Sequence, residues 1–349
     1  MSKRGWVGIV TVGVALVAGA AGARSGPGVA VDATRLRVFE ALPASMDSAS
    51  NPITESKVVL GRMLYYEPRL SKGQDISCNT CHALTAYGAE EEAVSTGHKG
   101  QKGTRNAPTV YNAAGHFAQF WDGRSPTVEE QAKGPILNPV EMAMTDQTRA
   151  IAVLKSMPEY VKAFRTAFPG EKDPVTYDNV GKAIGAFERR LVTSSRWDKF
   201  LRGDRAALTD PEKAGLDRYL DVGCQACHSG IYLGGSMFQK LGAVKPWKAA
   251  SDLGRFAVTK RDADKMFFKV PTLRNVEKTG PYYHDGSVLT LEEAVSRMDE
   301  HQLGRQLGAA DVASIVTFLK ALTGELPAEY IKAPALPKST ARTPKPEKM

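Results

Sequence analysis

Long hydrophobic runs are absent from this sequence beyond its N-terminal end. A helix that crosses a membrane needs about 20 consecutive apolar residues, and no segment after residue 23 approaches that length. Strict alternation of apolar and polar residues, which is typical of a half-buried strand, is also lacking. The sequence therefore predicts a mainly α fold with no membrane-spanning helix in the body of the chain.

A basic face interleaved with aromatic residues is likewise missing. The chain has 46 Lys and Arg residues against 38 Asp and Glu residues, a mild basic excess. Nucleic-acid-binding proteins typically cluster such charges on one face. We therefore expect no nucleic-acid partner.

Residues 1–23 have the three parts of a secretory signal. Lys3 and Arg4 supply the positive charge, residues 7–17 form a short apolar core, and residues 21–23 are small. We predict that this segment is a cleaved signal peptide and that the protein is periplasmic. The alternative is an uncleaved N-terminal anchor.

Cysteine is scarce, and all four copies fall in two C-x-x-C-H pentapeptides, CNTCH at 78–82 and CQACH at 224–228. This spacing is the attachment signature of c-type haem. Two thiols form thioether bonds and the adjacent histidine binds the iron. The sequence therefore predicts two covalently bound haem c groups, with His82 and His228 as proximal ligands. The thioether-forming residues would be Cys78, Cys81, Cys224 and Cys227.

Three other uses of paired cysteines are a four-thiolate zinc site, a thioredoxin-like redox pair and disulfide bonds. A zinc site would leave the histidine after each pair unexplained, and a redox pair needs only one C-x-x-C. Two complete pentapeptides therefore favour haem.

Helix signals flank both pentapeptides. Thr127, Thr209 and Thr290 each precede a glutamate by three residues, which is the capping-box pattern. Apolar spacing predicts further helices over 147–157, 179–191 and 311–323. Because helix, pentapeptide, loops and closing helix occur twice in this order, we predict two cytochrome c-like domains. The predicted division is a signal peptide at 1–23, an N-terminal domain at 24–195, a C-terminal domain at 196–332 and, from its composition, a disordered tail at 333–349.

From about residue 60 to residue 324 the sequence resembles the bacterial di-haem cytochrome c peroxidases. Beside the two pentapeptides, the matching stretches are STGHKGQKGTRNAPTVYNAA, FWDGR, EEQAKGPILNPVEM, TGPYYHDG and residues 298–304, in matching order. The resemblance implies that each cytochrome c-like domain carries one haem. The N-terminal haem would be peroxidatic and of low potential, and the C-terminal haem would transfer electrons at high potential.

The resemblance also implies the distal iron ligands. His98 resembles the ligand that leaves the N-terminal haem when the other haem is reduced, although by itself it is equally a surface-loop histidine. Met298 resembles the distal ligand of the C-terminal haem, where a thioether raises the reduction potential. A core methionine at 298, or His301 as a rival ligand, are the alternatives.

Three side chains resemble the family's catalytic residues. Trp121 matches the tryptophan between the haems. Glu141 matches a general acid/base that moves a proton between the peroxide oxygens, and Gln131 a residue that orients peroxide or water. Outside the resemblance, a solvated polar residue is the commoner use of Glu and Gln.

The resemblance places a calcium ion between the domains. Asn106 and the backbone carbonyls of Thr279 and Pro281 match its ligands, and all three offer the oxygen atoms that a hard cation requires. His284 resembles a structural residue near the haem interface. His116 has no assigned role.

The expected function is reduction of hydrogen peroxide to water by a cytochrome-c peroxidase. Electrons from a small cytochrome c or cupredoxin would enter at the C-terminal haem, and the resemblance implies a homodimer. One alternative is a relative that oxidises side chains of a partner protein; such enzymes have Tyr at the position of Met298 and lack a displaceable histidine like His98. A di-haem electron shuttle is another, and it has no need for Gln131 and Glu141.

Overall fold

The computed structural model describes residue 1, residues 29–247 and residues 251–347. Apart from its first residue, the predicted signal peptide lies outside the described residues. Helices dominate, which confirms the mainly α fold. Within the described ranges, every helix is too short or too polar to cross a bilayer.

The N-terminal unit, residues 51–192, is built around one buried helix. Its apolar core extends from Val58 to Leu191. Helix α6 packs against both α1 and α3, and Val180, Ile184 and Phe187 on it are completely buried. The helices of this unit are α1 (Glu55–Tyr65), α2 (Cys78–Cys81), α3 (Val128–Leu137), α4 (Gln147–Lys155), α5 (Pro158–Ala167) and α6 (Tyr177–Glu188).

The C-terminal unit, residues 196–324, has its own core and a small antiparallel ribbon. The two ribbon strands pair with Gln239 opposite Phe268. Each strand has three residues, too few to show an alternating pattern, so the sequence did not predict them. The elements of this unit are α7 (Arg196–Leu201), α8 (Asp210–Val222), β1 (Phe238–Lys240), α9 (Phe256–Thr259), β2 (Phe267–Lys269), α10 (Leu291–Met298) and α11 (Ala309–Lys320).

The threonine caps are confirmed. The side chains of Thr127, Thr209 and Thr290 each accept a hydrogen bond from a backbone N–H in the first turn of α3, α8 and α10. The C-terminal ends were predicted too late by two or three residues in α4, α6 and α11. Pro158 not only follows α4 but also begins α5, where its missing N–H costs nothing.

Each unit contains a close helix crossing at a glycine. A Cβ on Gly61 of α1 would lie 1.9 Å from the carbonyl oxygen of Ala183 on α6. A Cβ on Gly215 of α8 would lie 2.1 Å from the carbonyl oxygen of Ser314 on α11. Because any side chain would force the helices apart, only glycine permits this approach.

Both ends of the described chain pack on the unit that is distant in sequence. Leu36 and Phe39, which the predicted boundaries placed in the N-terminal domain, belong to the core of the C-terminal unit. The Phe39 ring meets Trp197 edge-on at 5.3 Å. Ile331 belongs to the core of the N-terminal unit. Hydrophobicity indicated that these residues are buried, but it did not indicate in which core.

The C-terminal tail differs from its predicted disorder. Residues 339–347 lack helices and strands but are hydrogen-bonded to the N-terminal unit. Arg69 donates to the Ser339 hydroxyl (3.0 Å), and Gln74 donates to the Pro344 carbonyl (2.7 Å). The composition predicted disorder because it offers no apolar periodicity, whereas polar contacts hold this segment.

Candidate functional site

A cavity of about 1030 Å³ borders both units, and both pentapeptides form part of its wall. A pocket for one drug-sized ligand is about 300–1,000 Å³, so the space exceeds what one small ligand requires. None of the four cysteines is paired in a disulfide bond. The cysteines and histidines of both pentapeptides all lie on this wall, namely Cys78, Cys81, His82, Cys224, Cys227 and His228.

The two pentapeptide histidines have matching hydrogen bonds. His82 Nδ1 lies 3.2 Å from the Gly88 carbonyl oxygen, and His228 Nδ1 lies 3.2 Å from that of Leu233. A carbonyl can only accept, so Nδ1 carries the proton and Nε2 keeps its lone pair for a metal. Burial lowers the pKa of both rings, that of His228 to about 4. Both are therefore neutral at pH 7, as iron binding requires.

A tyrosine anchors each pentapeptide to its helix. The hydroxyls of Tyr65 on α1 and Tyr219 on α8 donate to the backbone carbonyls of His82 and His228. The sequence signal for this contact is a repeated G-x-x-x-Y, GRMLY at 61–65 and GLDRY at 215–219, which was not among the predicted motifs. With cysteines outside any disulfide bond, neutral imidazoles and a shared cavity, the residues present fit two covalently attached haems.

Helix α3 and the turn after it bring Gln131 and Glu141 to the cavity wall. The turn is braced, because the Met142 N–H donates to the Pro135 carbonyl at 3.2 Å. Asn138 Nδ2 donates to Glu141 Oε1 at 2.8 Å. Burial raises the pKa of Glu141, although Arg124 and the Asn138 hydrogen bond act in the opposite direction. The carboxyl is therefore able to exchange a proton closer to neutral pH than an exposed glutamate.

Trp121 also lines the cavity and connects the two units. Its indole Nε1 donates to the Asn106 carbonyl at 3.0 Å. Its own carbonyl accepts from the Lys269 N–H at 2.7 Å, across to strand β2. Its ring lies 6.5 Å from that of His284. Trp121 is thus hydrogen-bonded both to its own N-terminal unit and to the C-terminal unit.

Asn106, Thr279 and Pro281 all border the cavity. The Asn106 amide Nδ2 donates to the carbonyls of Glu92 and Ala93, at 3.3 Å each. Within residues 29–247 and 251–347 there is no group of three or more His, Cys, Asp or Glu side chains that could hold a metal. A cation at this position would therefore depend on amide and carbonyl oxygens.

Met298, at the C-terminal end of α10, lines the cavity, whereas the alternative ligand His301 does not. His301 instead donates from Nδ1 to the Lys245 carbonyl at 2.8 Å and packs on Trp247 with ring centroids 4.8 Å apart. The structure therefore favours Met298 over His301 as a ligand from this segment.

His98 is buried but is not among the residues that line the cavity. The neighbouring Gly97 does line it, and the His98 N–H donates to the Glu141 carbonyl at 2.8 Å. The loop that carries His98 is thus hydrogen-bonded to the turn that carries Glu141. The role of His98 as a distal ligand stays a prediction.

Glu188, on α6, is a wall residue that the sequence did not single out. It is buried, and burial together with the charge of Glu129 raises its pKa to about 8. This carboxyl is therefore protonated at neutral pH.

The comparison with known proteins decides the family. The family model described as di-haem cytochrome c peroxidase matches residues 55–206. The cytochrome c551 peroxidase of Pseudomonas aeruginosa is 47% identical over 315 residues, which are 88% of this chain and 90% of that protein. The chain belongs to the di-haem cytochrome c peroxidase family.

Two further relatives agree with this assignment. The cytochrome c551 peroxidase of Nitrosomonas europaea is 46% identical, covering 86% of this chain and 92% of that protein. A solved MauG-like protein associated with microbial copper homeostasis has a TM-score of 0.75 at 30% identity, covering 84% of this chain and 97% of its own. The predicted family and the oxidoreductase class of this di-haem peroxidase family are confirmed.

Proposed function

We propose that this protein reduces hydrogen peroxide to water at the haem attached to Cys78 and Cys81. The observation that carries the proposal is that Glu141 and Gln131 share a cavity wall with the first pentapeptide. Membership of the peroxidase family supports it. Trp121 and the second pentapeptide border the same cavity, which supports delivery of electrons from the C-terminal haem.

Reduction of one peroxide consumes two electrons and two protons and yields two waters. The haem iron, when bound, supplies the redox chemistry. Glu141 would take the proton from one peroxide oxygen and deliver it to the oxygen that leaves as water, while the Gln131 amide orients the substrate. A carboxyl with a raised pKa suits this task, because a general acid/base works best when its pKa is near the operating pH.

Electrons would enter at the C-terminal haem, with Met298 as its distal ligand, and pass by Trp121. A small cytochrome c or cupredoxin is the proposed donor, and the cytochrome c551 peroxidases among the relatives support the cytochrome. His98 would be displaced from the N-terminal haem after reduction of the other haem.

Calcium at Asn106, Thr279 and Pro281 is part of the proposal. It would couple the two units, because Asn106 belongs to the N-terminal unit while Thr279 and Pro281 belong to the C-terminal unit. The periplasmic location and the homodimer stay predictions.

The test is peroxide-dependent oxidation of a reduced small cytochrome c, with calcium present, before and after one-electron reduction of the di-haem protein. We expect turnover after pre-reduction. Glu141→Gln should lose about 10²–10⁴-fold while both haem spectra are retained. The exposed carboxylate Glu130, on the helix α3 that precedes the Glu141 turn, provides the control, and Glu130→Gln should turn over normally.

Three outcomes distinguish the readings. Normal turnover by Glu141→Gln would remove this residue from the mechanism. Turnover without pre-reduction would support the peroxidase function but contradict the proposed displacement of His98 on reduction. If the wild-type protein shows no turnover while peroxide still changes the haem spectrum, oxidation of a partner protein becomes the better assignment.

A further inference from the structure

Four lysine and arginine side chains among the described residues border the cavity, and three of them are paired with carboxylates. Arg105 lies 2.7 Å from Asp122 and 2.6 Å from Asp252. Arg124 also contacts Asp122, and Lys102 lies 3.8 Å from Glu92. Among the described residues, no carboxylate lies within ion-pair distance of the fourth, Lys269. The cavity wall therefore carries one basic group without a protein counter-charge.

Lys269 is also the most enclosed of the four. The residue is 7% exposed, and burial lowers the pKa of its ammonium group to about 8. A charge removed from water without a counter-charge is strongly unfavourable. A buried lysine on the wall of a ligand cavity is therefore suited to an anion carried by the ligand.

His116 orients this lysine. Its Nδ1 lies 3.3 Å from Lys269 Nζ, and both residues are buried on the cavity wall. An ammonium group has no lone pair, so Nδ1 accepts and two of the three Nζ–H bonds stay available. The imidazole is itself fixed, because its ring meets Tyr232 edge-on at 5.2 Å and its edge closely approaches Gly235.

The ribbon that carries Lys269 contacts the second attachment site. Gln239 on β1 lies 3.8 Å from the Cys227 sulfur and pairs with Phe268, the residue before Lys269. On the other side, the Lys269 N–H donates to the Trp121 carbonyl at 2.7 Å. Lys269 thus lies between the second pentapeptide and the tryptophan.

We propose that Lys269, held in place by His116, binds a propionate carboxylate of the haem attached to Cys224 and Cys227. A haem brings two carboxylates into the cavity, which supplies the missing counter-charge. The positive charge also favours the reduced form of that haem and so keeps its reduction potential high. The inference rests on the two-haem assignment but not on peroxide chemistry.

The test is an anaerobic redox titration of the complete haem-loaded protein, followed by visible spectra. Lys269→Met removes the charge with little change of length, so the midpoint potential of the C-terminal haem should fall. The resonance Raman bending band of its propionates should shift at the same time. Lys269→Arg should restore most of both signals. Lys102→Met is the matched control, since Lys102 borders the same cavity but is more than half exposed, and it should leave both unchanged.

His116 provides a second measurement with Lys269 in place. His116→Leu should lower the potential in the same direction but less, and His116→Asn, which keeps an acceptor near Nδ1, should retain it. Haem content of each variant is measured on denatured protein. Unchanged potentials and propionate bands in fully loaded Lys269→Met would overturn the proposal, as would an equal shift in Lys102→Met. Neither readout uses peroxide, so a failed peroxidase assay would not affect the result.

Discussion

The backbone N–H of His98 donates a hydrogen bond of 2.8 Å to the backbone carbonyl of Glu141. The proposed distal ligand and the proposed acid/base are therefore mechanically connected. Next to this bond, a Cβ on Gly97 would lie 2.0 Å from the Val140 carbonyl oxygen and 2.8 Å from the Glu141 Cα. The loop and the turn can approach this closely only because residue 97 is glycine.

Gly97→Ala should accordingly separate the loop from the turn and displace Glu141. A displacement of about 1 Å can cost 10²-fold in rate, so we expect a large loss of peroxide turnover. The His98 ligation spectrum should change in the same variant. Gly103→Ala is the control, because a Cβ there would have no neighbour closer than 3.6 Å. Full activity of Gly97→Ala would show that the hydrogen bond does not position Glu141.

Met298→Leu should change the ligand of the C-terminal haem. Loss of the thioether should lower the reduction potential and convert the iron to high spin or to a new ligand, as seen by visible and magnetic circular dichroism spectra. Met144 is a buried core residue of the N-terminal unit, and Met144→Leu should leave these spectra unchanged. A surviving His/Met spectrum in Met298→Leu would mean that another residue binds this iron.

Glu188 predicts a pH dependence of stability. Its pKa is about 8 in the folded protein against an ordinary value of 4.5, so the folded state holds a proton that the unfolded state releases between these values. The group therefore lowers the free energy of unfolding as pH rises from about 5 to 8, by at most about 1.4 kcal/mol per pH unit.

Glu188→Gln should flatten that dependence. Denaturant unfolding is measured at pH 5, 6.5 and 8. The free energy of unfolding of the variant should increase relative to that of the wild-type protein as pH rises. Glu159→Gln, which replaces an exposed carboxylate on α5, should follow the wild-type curve. The prediction is wrong if Glu188→Gln follows it as well.

The tail contacts predict a loss of stability on truncation. Glu347 lies 3.4 Å from Lys72 and 3.6 Å from Arg149, and the Thr340 hydroxyl donates to the Ser156 carbonyl at 2.9 Å. Exposed contacts of this kind contribute about 0.5–1 kcal/mol each. Removal of residues 333–349 should therefore lower the melting temperature. A Gly/Ser segment of the same length should restore little of it, and full restoration would show that the individual contacts do not matter.

The site could be predicted from the sequence where chemistry is tied to a local pattern. The pentapeptides and the threonine caps are such patterns, because each is complete within five residues. The family resemblance added Trp121, Gln131, Glu141 and Met298, and all four reach the cavity wall. His98 was assigned on the same basis but is not among the residues that line the cavity, and its assignment as a distal ligand stays a prediction.

The remainder depends on contacts between residues distant in sequence. Lys269 and His116 are separated by 153 positions, and neither has a local signal for the other. The ribbon strands are too short for a period to be visible. The sequence pattern of Phe39 indicates burial only, and its pairing with Trp197 is a property of the complete fold.

Each end of the described chain packs into the core of the unit that is distant in sequence, and this arrangement also determines when the protein can fold. The core of the C-terminal unit includes Leu36 and Phe39, which are synthesised first, together with Ile315 and Phe318, which are synthesised near the end. The core of the N-terminal unit is completed by Ile331. Domains usually fold in order as they leave the ribosome, but here neither core is complete until almost the whole chain exists. We therefore expect folding to follow synthesis, with both pentapeptides accessible until the last segment closes.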